Sequence, residues 1–190
     1  YNSEAWNWRK LYFDAKVNYD RAFGDHRVGG LLFYYLESTT ESGADSSMNA
    51  IAKRYQSLSG RFTYGFRDTY FLDLNFGLNG SENFQSGKQY GFFPAVAVGW
   101  VPTQYEFMKR IKWIEFMKIR ASYGLVGNDR ISNLRFPYLT IIKETTDTTP
   151  WGGSGVLTEE RVGADNLMWE KAKKLDIGLD LHLFGGQFTM

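Results

Sequence analysis

Residues 61–80 have the sequence RFTYGFRDTYFLDLNFGLNG, in which a tight turn at Arg67-Asp68 separates two runs of alternating residues. After the turn, every second residue from Tyr70 to Leu78 is apolar, and Asp73, Asn75, Gly77 and Asn79 lie between them. Successive side chains of a strand point to opposite faces, so one face is apolar and the other is polar. The stretch predicts an antiparallel hairpin with two unlike faces.

The same alternation occurs in residues 11–19, 175–183 and, more weakly, 58–66. Two further sites resemble the turn at Arg67-Asp68: Phe23-Gly24-Asp25-His26 and Phe184-Gly185-Gly186-Gln187. We therefore predict strands at 8–23, 26–37, 51–66, 69–80, 91–101, 116–126 and 167–184, with an eighth starting at Gln187. Many of these exceed the five or six residues of a typical soluble strand.

The predicted connections differ in length between the two ends of the sheet. The long ones, at 38–50, 81–90 and 127–166, fall at one end, and the tight turns and the 102–115 connection fall at the other. In residues 102–115 the spacing of Tyr105, Met108, Ile111 and Ile114 is helical and predicts a short amphipathic turn. The fold class predicted is all-β, an antiparallel transmembrane β-barrel segment with short periplasmic turns and long extracellular loops.

Composition agrees with this class. Aromatic residues make up 17% of the 190 residues, as expected where rings line two bilayer interfaces. The net charge of +1 argues against nucleic acid as a partner, and the absence of cysteine excludes disulfides and thiolate metal sites. No apolar run approaches the roughly 18 residues of a spanning helix, so any membrane passage is made by strands.

One predicted strand is apolar on both faces. In residues 92–101, Phe92, Val96, Val98 and Trp100 form one face, and Phe93, Ala95, Ala97, Gly99 and Val101 form the other. The second face fits protein packed inside a barrel, and it fits a soluble core equally well. Pro94 removes a ladder donor and is expected at a strand start or a bulge.

Three runs carry a family resemblance: GFFPAVAVGW from Gly91, IEFMKIRASYGLVGND from Ile114 and NLMWEKAKKLDIGLDLHLFGG from Asn166. In order and spacing they resemble the C-terminal barrel of SusC/RagA-like TonB-dependent transporters, the nutrient importers of Bacteroidetes outer membranes. The hairpin from Arg61 resembles one that ends in Arg-x-Asp-Gly-Ser-Ser-x-Phe, but Gly77 and Asn79 replace the usual Arg and Asp, which argues against a lumen ion pair there. The positions that match the family motifs are Gly80, Ser81, Phe84, Pro94, Trp100, Gly124, Gly127, Asn128, Trp169 and Glu170.

The resemblance implies a 22-stranded barrel with an internal plug that the TonB–ExbB–ExbD complex opens from the periplasm. It also implies a SusD-like surface lipoprotein that lids the barrel and helps to capture oligosaccharides or peptides. Residues 1–190 would belong to the barrel domain and supply about a third of its wall, with the plug and the TonB box outside this chain. Because the chain starts at Tyr1 and ends four residues into a new strand, we expect an interior piece of a longer protein.

Candidate contacts fall into two groups. Residues on the predicted polar faces would pair with one another, contact the plug or line the solute path, and we favour pairing; these lumen-facing candidates are Arg61, Asp73, Asn75, Lys118, Arg120, Asp176 and Asp180. In the polar, Thr-rich residues 128–165, Tyr138 and Trp151 are candidates to stack on sugar rings or to dock the lid protein. The alternative for this segment is a loop without ligand contact.

No catalytic, metal or cofactor site is predicted. His26 and His182 have no partner at metal or triad spacing, and Gly124-Leu125-Val126-Gly127-Asn128 lacks the Lys-Ser/Thr end of a phosphate loop. For Trp169-Glu170 we favour a rim aromatic and a carboxylate at a strand start over a ligand site. The chain is predicted to belong to an active importer, and the alternatives are a passive outer-membrane pore, a small closed barrel of eight strands and a soluble β-sandwich glycan-binding module.

Overall fold

The computed structural model describes residues 7–42, 51–111, 113–130, 136–145, 156–183 and 188–189. Most of them are strands. Their bounds are β1 Asn7–Phe23, β2 His26–Ser42, β3 Lys53–Phe66, β4 Tyr70–Ser81, β5 Tyr90–Trp100, β6 Ile114–Asn128, β7 Ile141–Thr145, β8 Val156–Arg161, β9 Glu170–Leu183 and β10 Phe188–Thr189. A 3-10 helix, Pro102–Gln104, and a helix α1, Glu106–Lys109, lie between β5 and β6, where a short helical turn was predicted.

Eight strands form one antiparallel sheet in the order β1-β2-β3-β4-β5-β6-β9-β10. Strands adjacent in this sheet are also successive along the chain, except that a separate two-stranded sheet, β7–β8, lies between β6 and β9. The small sheet was missed from the sequence because its strands are short and lie in a polar, Thr-rich segment. The eight predicted strands are confirmed, and the first five described pairings run without a register shift.

Two tight turns at one end of the sheet are tied together. In the β3–β4 connection, Arg67 and Asp68 adopt the left-handed conformation, with φ of 51° and 49°, as the central residues of a type I′ turn do, and the Thr69 N–H closes the turn on the Phe66 carbonyl at 2.9 Å. The Arg67 backbone N–H donates to the Asp25 carbonyl (2.8 Å), and Arg67 Nε lies 2.7 Å from Asp25 Oδ2 in the β1–β2 turn. The predicted turn at 184–187 lies outside the described residues, although Leu183 and Phe188 on either side of it are paired.

The apolar face of the sheet is uncovered. Leu72, Val98, Ala121 and Ile177 lie directly opposite one another in β4, β5, β6 and β9, so they share this face. Ile177 is 73% exposed. Among the described residues, buried apolar side chains larger than alanine are confined to Phe84, Val101, Pro102, Phe136 and Trp169.

The described single layer differs from two of the alternative folds. A soluble sandwich requires the apolar faces of two sheets to meet, whereas here the described strands leave that face open over a large area. A small closed barrel requires β1 to pair with the last strand, whereas β1 and β10 are the two edges of the described sheet. The described residues include no helix of the length and apolarity needed to cross a membrane.

Pro94 explains where one ladder stops. Strand β5 pairs with β4 over its whole length, but its pairing with β6 begins only at Ala95, opposite Gly124. A proline has no backbone N–H, so Pro94 cannot donate a hydrogen bond to β6. Pro94 is nevertheless the fifth residue of β5 and pairs with Phe76 without a bulge, so the predicted strand-start or bulge position holds only for the side of β5 that faces β6.

Candidate functional site

The polar face carries the predicted lumen-facing residues. Strand register places Arg61 opposite Asn75, and Asp73 two positions away on the same strand and face. Arg61 Nε donates to both Asp73 oxygens, at 3.1 and 3.0 Å, and Asn75 Nδ2 donates to Asp73 Oδ1 at 2.8 Å. Asp73 therefore accepts bonds from both neighbours, and the three side chains form one fixed group.

A second group on the same face lies across β6 and β9. Lys118 is directly opposite Asp180, and Arg120 Nη2 lies 3.5 Å from Asp180 Oδ1. The Lys118 amine sits 5.5 Å from the centre of the Phe71 ring, a cation–π contact. Asp176 is opposite Ser122, and in the described part of the chain no ion pair joins it.

Five of the seven candidates contact one another, four of them in ion pairs and Asn75 through its hydrogen bond to Asp73, which favours the pairing interpretation. Arg61 with Asp73, and Arg120 with Asp180, are half-exposed pairs, each expected to contribute about 0.2–1 kcal/mol. Their main effect is to neutralise charge on a face that has to be wet or covered by protein. Whether the seven residues line a lumen remains a prediction.

The sequence did not single out a further polar group near the other end of β1 and β2. Glu37 lies 3.0 Å from Lys10 and accepts hydrogen bonds from the hydroxyls of Tyr35 and Thr39. Tyr12 is the residue directly opposite Glu37, so the group lies on the polar face of β1. The alternation marked this face as polar, but only the register shows which charges meet.

A concavity of about 360 Å³ lies on the polar face between the two ion-paired groups. Phe71 is in its lining, flanked by Gly65 and Gly99, and charged side chains surround it: Asp20, Arg27, Arg61, Asp68, Asp73, Lys118 and Arg120. A Cβ at Gly99 would lie 3.5 Å from Phe71 Cβ and 3.5 Å from Lys118 Cε. These distances are ordinary van der Waals contacts, so an alanine would fit at Gly99 and would only narrow the concavity by one methyl group.

Most of the buried apolar side chains cluster at the end with the long loops. Phe84, Phe93 and Trp169, here called the rim cluster, have ring centres 5.3 Å (Phe84–Trp169) and 5.1 Å (Phe93–Trp169) apart. Phe84 is fully buried, and Trp169 Nε1 donates to the Gln89 carbonyl at 3.2 Å. The rim cluster therefore fastens the 82–89 loop to the start of β9.

The remaining motif positions surround the rim cluster or continue its strands. Buried Ser81 accepts from the Asn83 N–H, and Asn128 Nδ2 donates to Glu170 Oε2 at 3.0 Å across β6 and β9. Gly80 and Gly124 are ladder positions where a Cβ would lie 2.9 Å from the Tyr90 ring and 2.8 Å from Ala95 Cβ. The structural role of these motif positions stays a prediction, and these contacts are what such a role would require.

Two departures from the family pattern have a simple outcome. Ser57 Oγ donates to Asn79 Oδ1 at 2.7 Å, while Gly77 opposite Ser59 has no side chain. At the positions where the family pattern has Arg and Asp, this chain therefore has a neutral hydrogen bond to Asn79 and no ion pair.

A cavity of about 720 Å³, here called the large cavity, opens beside the long loops. Its lining combines the rings of Tyr55, Tyr90 and Phe136 with polar side chains, Glu37, Ser38, Arg54, Gln56, Ser81, Glu82 and Gln89. Tyr90 donates to Gln56 Oε1 at 3.3 Å. No local sequence pattern predicts this cavity, because its lining residues come from four strands, β2 to β5, and from three loops.

The two loop candidates have different outcomes. Tyr138 is half-buried, with its ring edge-on to Phe136 at 6.3 Å, and it does not line the large cavity. Trp151 lies outside the described residues.

The histidines take part in local contacts: His26 Nδ1 lies 2.7 Å from the Tyr64 hydroxyl, and the His182 ring lies 5.3 Å from that of Phe116.

Comparison with known proteins gives sequence relatives and structural neighbours, although no protein-family model matches. TonB-dependent receptor P3 of Formosa agariphila is 28% identical over 92% of this chain and 20% of its own length. TonB-dependent receptor P26 of the same species is 32% identical over 77% of this chain and 15% of its own length. TonB-dependent receptor SusC of Bacteroides thetaiotaomicron is 27% identical over 68% of this chain and 13% of its own length.

The solved structures agree with these relatives. The RagAB peptide importer in its "closed-closed" state matches with a TM-score of 0.77 at 18% identity, over 97% of this chain and 23% of that one. The RagAB peptide transporter matches with a TM-score of 0.75 at 19% identity and the same coverage. At such identities the match shows a shared fold. The chain spans about a fifth, or less, of the curated relatives it matches.

Proposed function

Because the chain belongs to the SusC/RagA-like TonB-dependent transporters of the Bacteroidetes outer membrane, we propose that it forms barrel wall and outer loops of an active importer of large nutrients. The observation that carries the proposal is the division of the sheet into two faces. Ile177 and its neighbours expose one apolar side, while Arg61, Asp73 and Asp180 mark a charged side. Lipid would contact the first face, and the plug or the solute path the second.

The cargo proposed is an oligosaccharide or a peptide. RagAB is described as a peptide importer, and the large cavity beside the long loops offers tyrosine rings together with amides and charges of both signs. Rings suit sugar faces and apolar side chains, and the polar groups suit hydroxyls or peptide bonds. Tyr138 and Trp151 remain further candidates, for cargo or for the lid protein.

The partners proposed are a SusD-like surface lipoprotein over the long loops and the TonB–ExbB–ExbD complex, acting through a plug and a TonB box outside this chain. Residues 1–190 belong to the barrel domain in this proposal. We propose no catalytic role and no cofactor for the segment, in keeping with relatives that are named as receptors.

The test is energised uptake by the full-length protein in its own host. Labelled oligosaccharide and peptide pools are offered to cells that carry the parent, a variant without the TonB box or a variant without the lid lipoprotein. An active importer loses uptake when the TonB box is removed. Uptake that continues unchanged without the TonB box would instead support the passive pore.

A further inference from the structure

We propose that the connection between β5 and β6, residues 101–113, is an interfacial anchor that binds the phosphate head groups of bilayer phospholipids at the end of the barrel with the tight turns. Here it is called the β5–β6 connection. The other described connections at this end, at Gly24-Asp25 and between Phe66 and Tyr70, are two or three residues long. The β5–β6 connection, with 13 residues, is much longer than a turn between neighbouring strands needs to be.

Aromatic rings run without a break from the apolar face into the connection. Tyr70 and Trp100 lie directly opposite each other on that face, where β4 begins and β5 ends. The Trp100 ring is 6.5 Å from that of Tyr105, the Tyr70 and Tyr105 hydroxyls are hydrogen-bonded, and Tyr105 stacks on Phe107 at 5.7 Å. The connection therefore continues the surface that contacts lipid.

The outermost rings of the connection are not covered. Phe107 is 61% exposed and Trp113 is 53% exposed. Backbone bonds hold their segment in place, from Met108 N to the Tyr105 carbonyl (3.0 Å) and from Ile111 N to the Met108 carbonyl (2.9 Å). Ordered, exposed tryptophan and phenylalanine beside a lipid-facing surface is the arrangement found at membrane interfaces.

Cations accompany these rings. The sequence from 109 to 113, KRIKW, has three basic residues. Lys109 lies 2.9 Å from Glu106, whereas Arg110 is exposed and, within the described ranges, forms no salt bridge. Basic residues next to exposed rings are typical of helices that lie in the head-group zone, where the rings enter the acyl boundary and the cations meet phosphate.

The continuity of the rings favours phospholipid over a protein partner. A protein that covered Phe107 and Trp113 would also have to displace lipid from Tyr70 and Trp100, which are set in the apolar face. A phosphate group near Arg110 requires no such displacement. This proposal rests on the proposed function only in that the barrel lies in the outer membrane. It does not depend on which solute the transporter carries.

The first experiment measures where the connection lies. A nitroxide is attached at Phe107→Cys in the full-length transporter, with any cysteines outside this chain replaced, after reconstitution in bilayers. We expect the label to collide with dissolved oxygen and to be protected from a water-soluble nickel complex. A matched label at Ser86→Cys, exposed in the 82–89 loop, should show the reverse. If both labels are equally accessible to nickel, the anchor is wrong.

The second experiment measures head-group binding. Phosphatidylglycerol binding to the detergent-solubilised full-length transporter is compared between the parent and Lys109→Gln/Arg110→Gln. We expect about tenfold weaker binding, because each cation near an anionic surface contributes about fivefold and Glu106 partly neutralises Lys109. The control, Lys16→Gln/Lys174→Gln, removes the same charge from the polar face and should bind as the parent does.

Heat-modifiable gel mobility confirms that each variant is folded. Unchanged phosphatidylglycerol binding by the folded Lys109→Gln/Arg110→Gln variant would overturn the proposal, and so would an equal loss in the control. Solute uptake is measured separately from lipid binding. If the lipid-binding proposal fails, the importer proposal still stands, and if the importer proposal fails, lipid binding can still be tested.

Discussion

The ring of Phe93 occupies the space that a side chain at Gly127 would need. A Cβ built on Gly127 lies 1.9 Å from Phe93 Cζ, closer than non-bonded carbons can approach. This contact lies just beyond the point where the β5–β6 ladder ends at Ala95 and Gly124. The ring therefore fills the gap that Pro94 leaves between the two strands.

Gly127→Ala should destabilise the barrel. The added methyl forces the Phe93 ring away from Trp169, and overpacking of this kind costs about 1–3 kcal/mol. The matched control is Gly77→Ala, since the nearest atom there is Asn79 Nδ2 at 4.0 Å. Urea unfolding of the full-length protein in lipid vesicles measures both, and equal midpoints for the two variants would contradict the packing described.

Trp169→Ala should loosen the outer loops more than it disturbs the sheet. It removes the ring that covers Phe84 and the donor to the Gln89 carbonyl, with an expected cost of about 3–5 kcal/mol. Limited proteolysis should cut the 82–89 loop faster than in the parent. Trp169→Phe, which keeps the ring contact and loses the hydrogen bond, should cost about 1 kcal/mol. Proteolysis of the alanine variant at the parental rate would show that the loop is held elsewhere.

Ile177→Lys should prevent stable insertion or weaken it strongly. A lysine on the lipid side of a barrel costs about 2–4 kcal/mol near the bilayer midplane and less towards the interface. The neighbouring Asp176→Lys changes the opposite face and should be tolerated. Folding into vesicles, followed by heat-modifiable mobility, separates the two. If Asp176→Lys were the more damaging change, the two faces would have to be exchanged.

Asp68→Gly should stabilise the β3–β4 turn. Asp68 has a φ of 49°, a conformation that glycine adopts without the Cβ penalty of about 1 kcal/mol. The substitution also removes the ion pair between Arg27 and Asp68 (3.6 Å). That pair contributes little to the free energy of unfolding because both side chains are exposed. Asp25→Gly is the comparison, because it removes the ion pair with Arg67 and relieves no positive φ. An unfolding midpoint for Asp68→Gly at or below the parent's would show that the turn carries no such strain.

Strand positions and faces were predictable because each depends on neighbours along the chain. The alternation in residues 70–79 and the turn residues at 67–68 specify direction, period and reversal locally, and the structure agrees. The helical spacing from Tyr105 likewise anticipated α1. The β7–β8 hairpin escaped detection because its five and six residues are too few for a period to stand out.

The amino-acid sequence by itself determined that the chain forms long antiparallel strands with one apolar face, since a period of two requires only residues a few positions apart. The tertiary structure alone decided which side chains meet: Arg61 with Asp73, Glu37 with Lys10, Phe84 with Trp169, and the walls of the large cavity. Their physical basis is the register between strands and the docking of loops from distant parts of the chain. Those contacts join residues up to 85 positions apart, Phe84 and Trp169, and no local pattern specifies such a pairing.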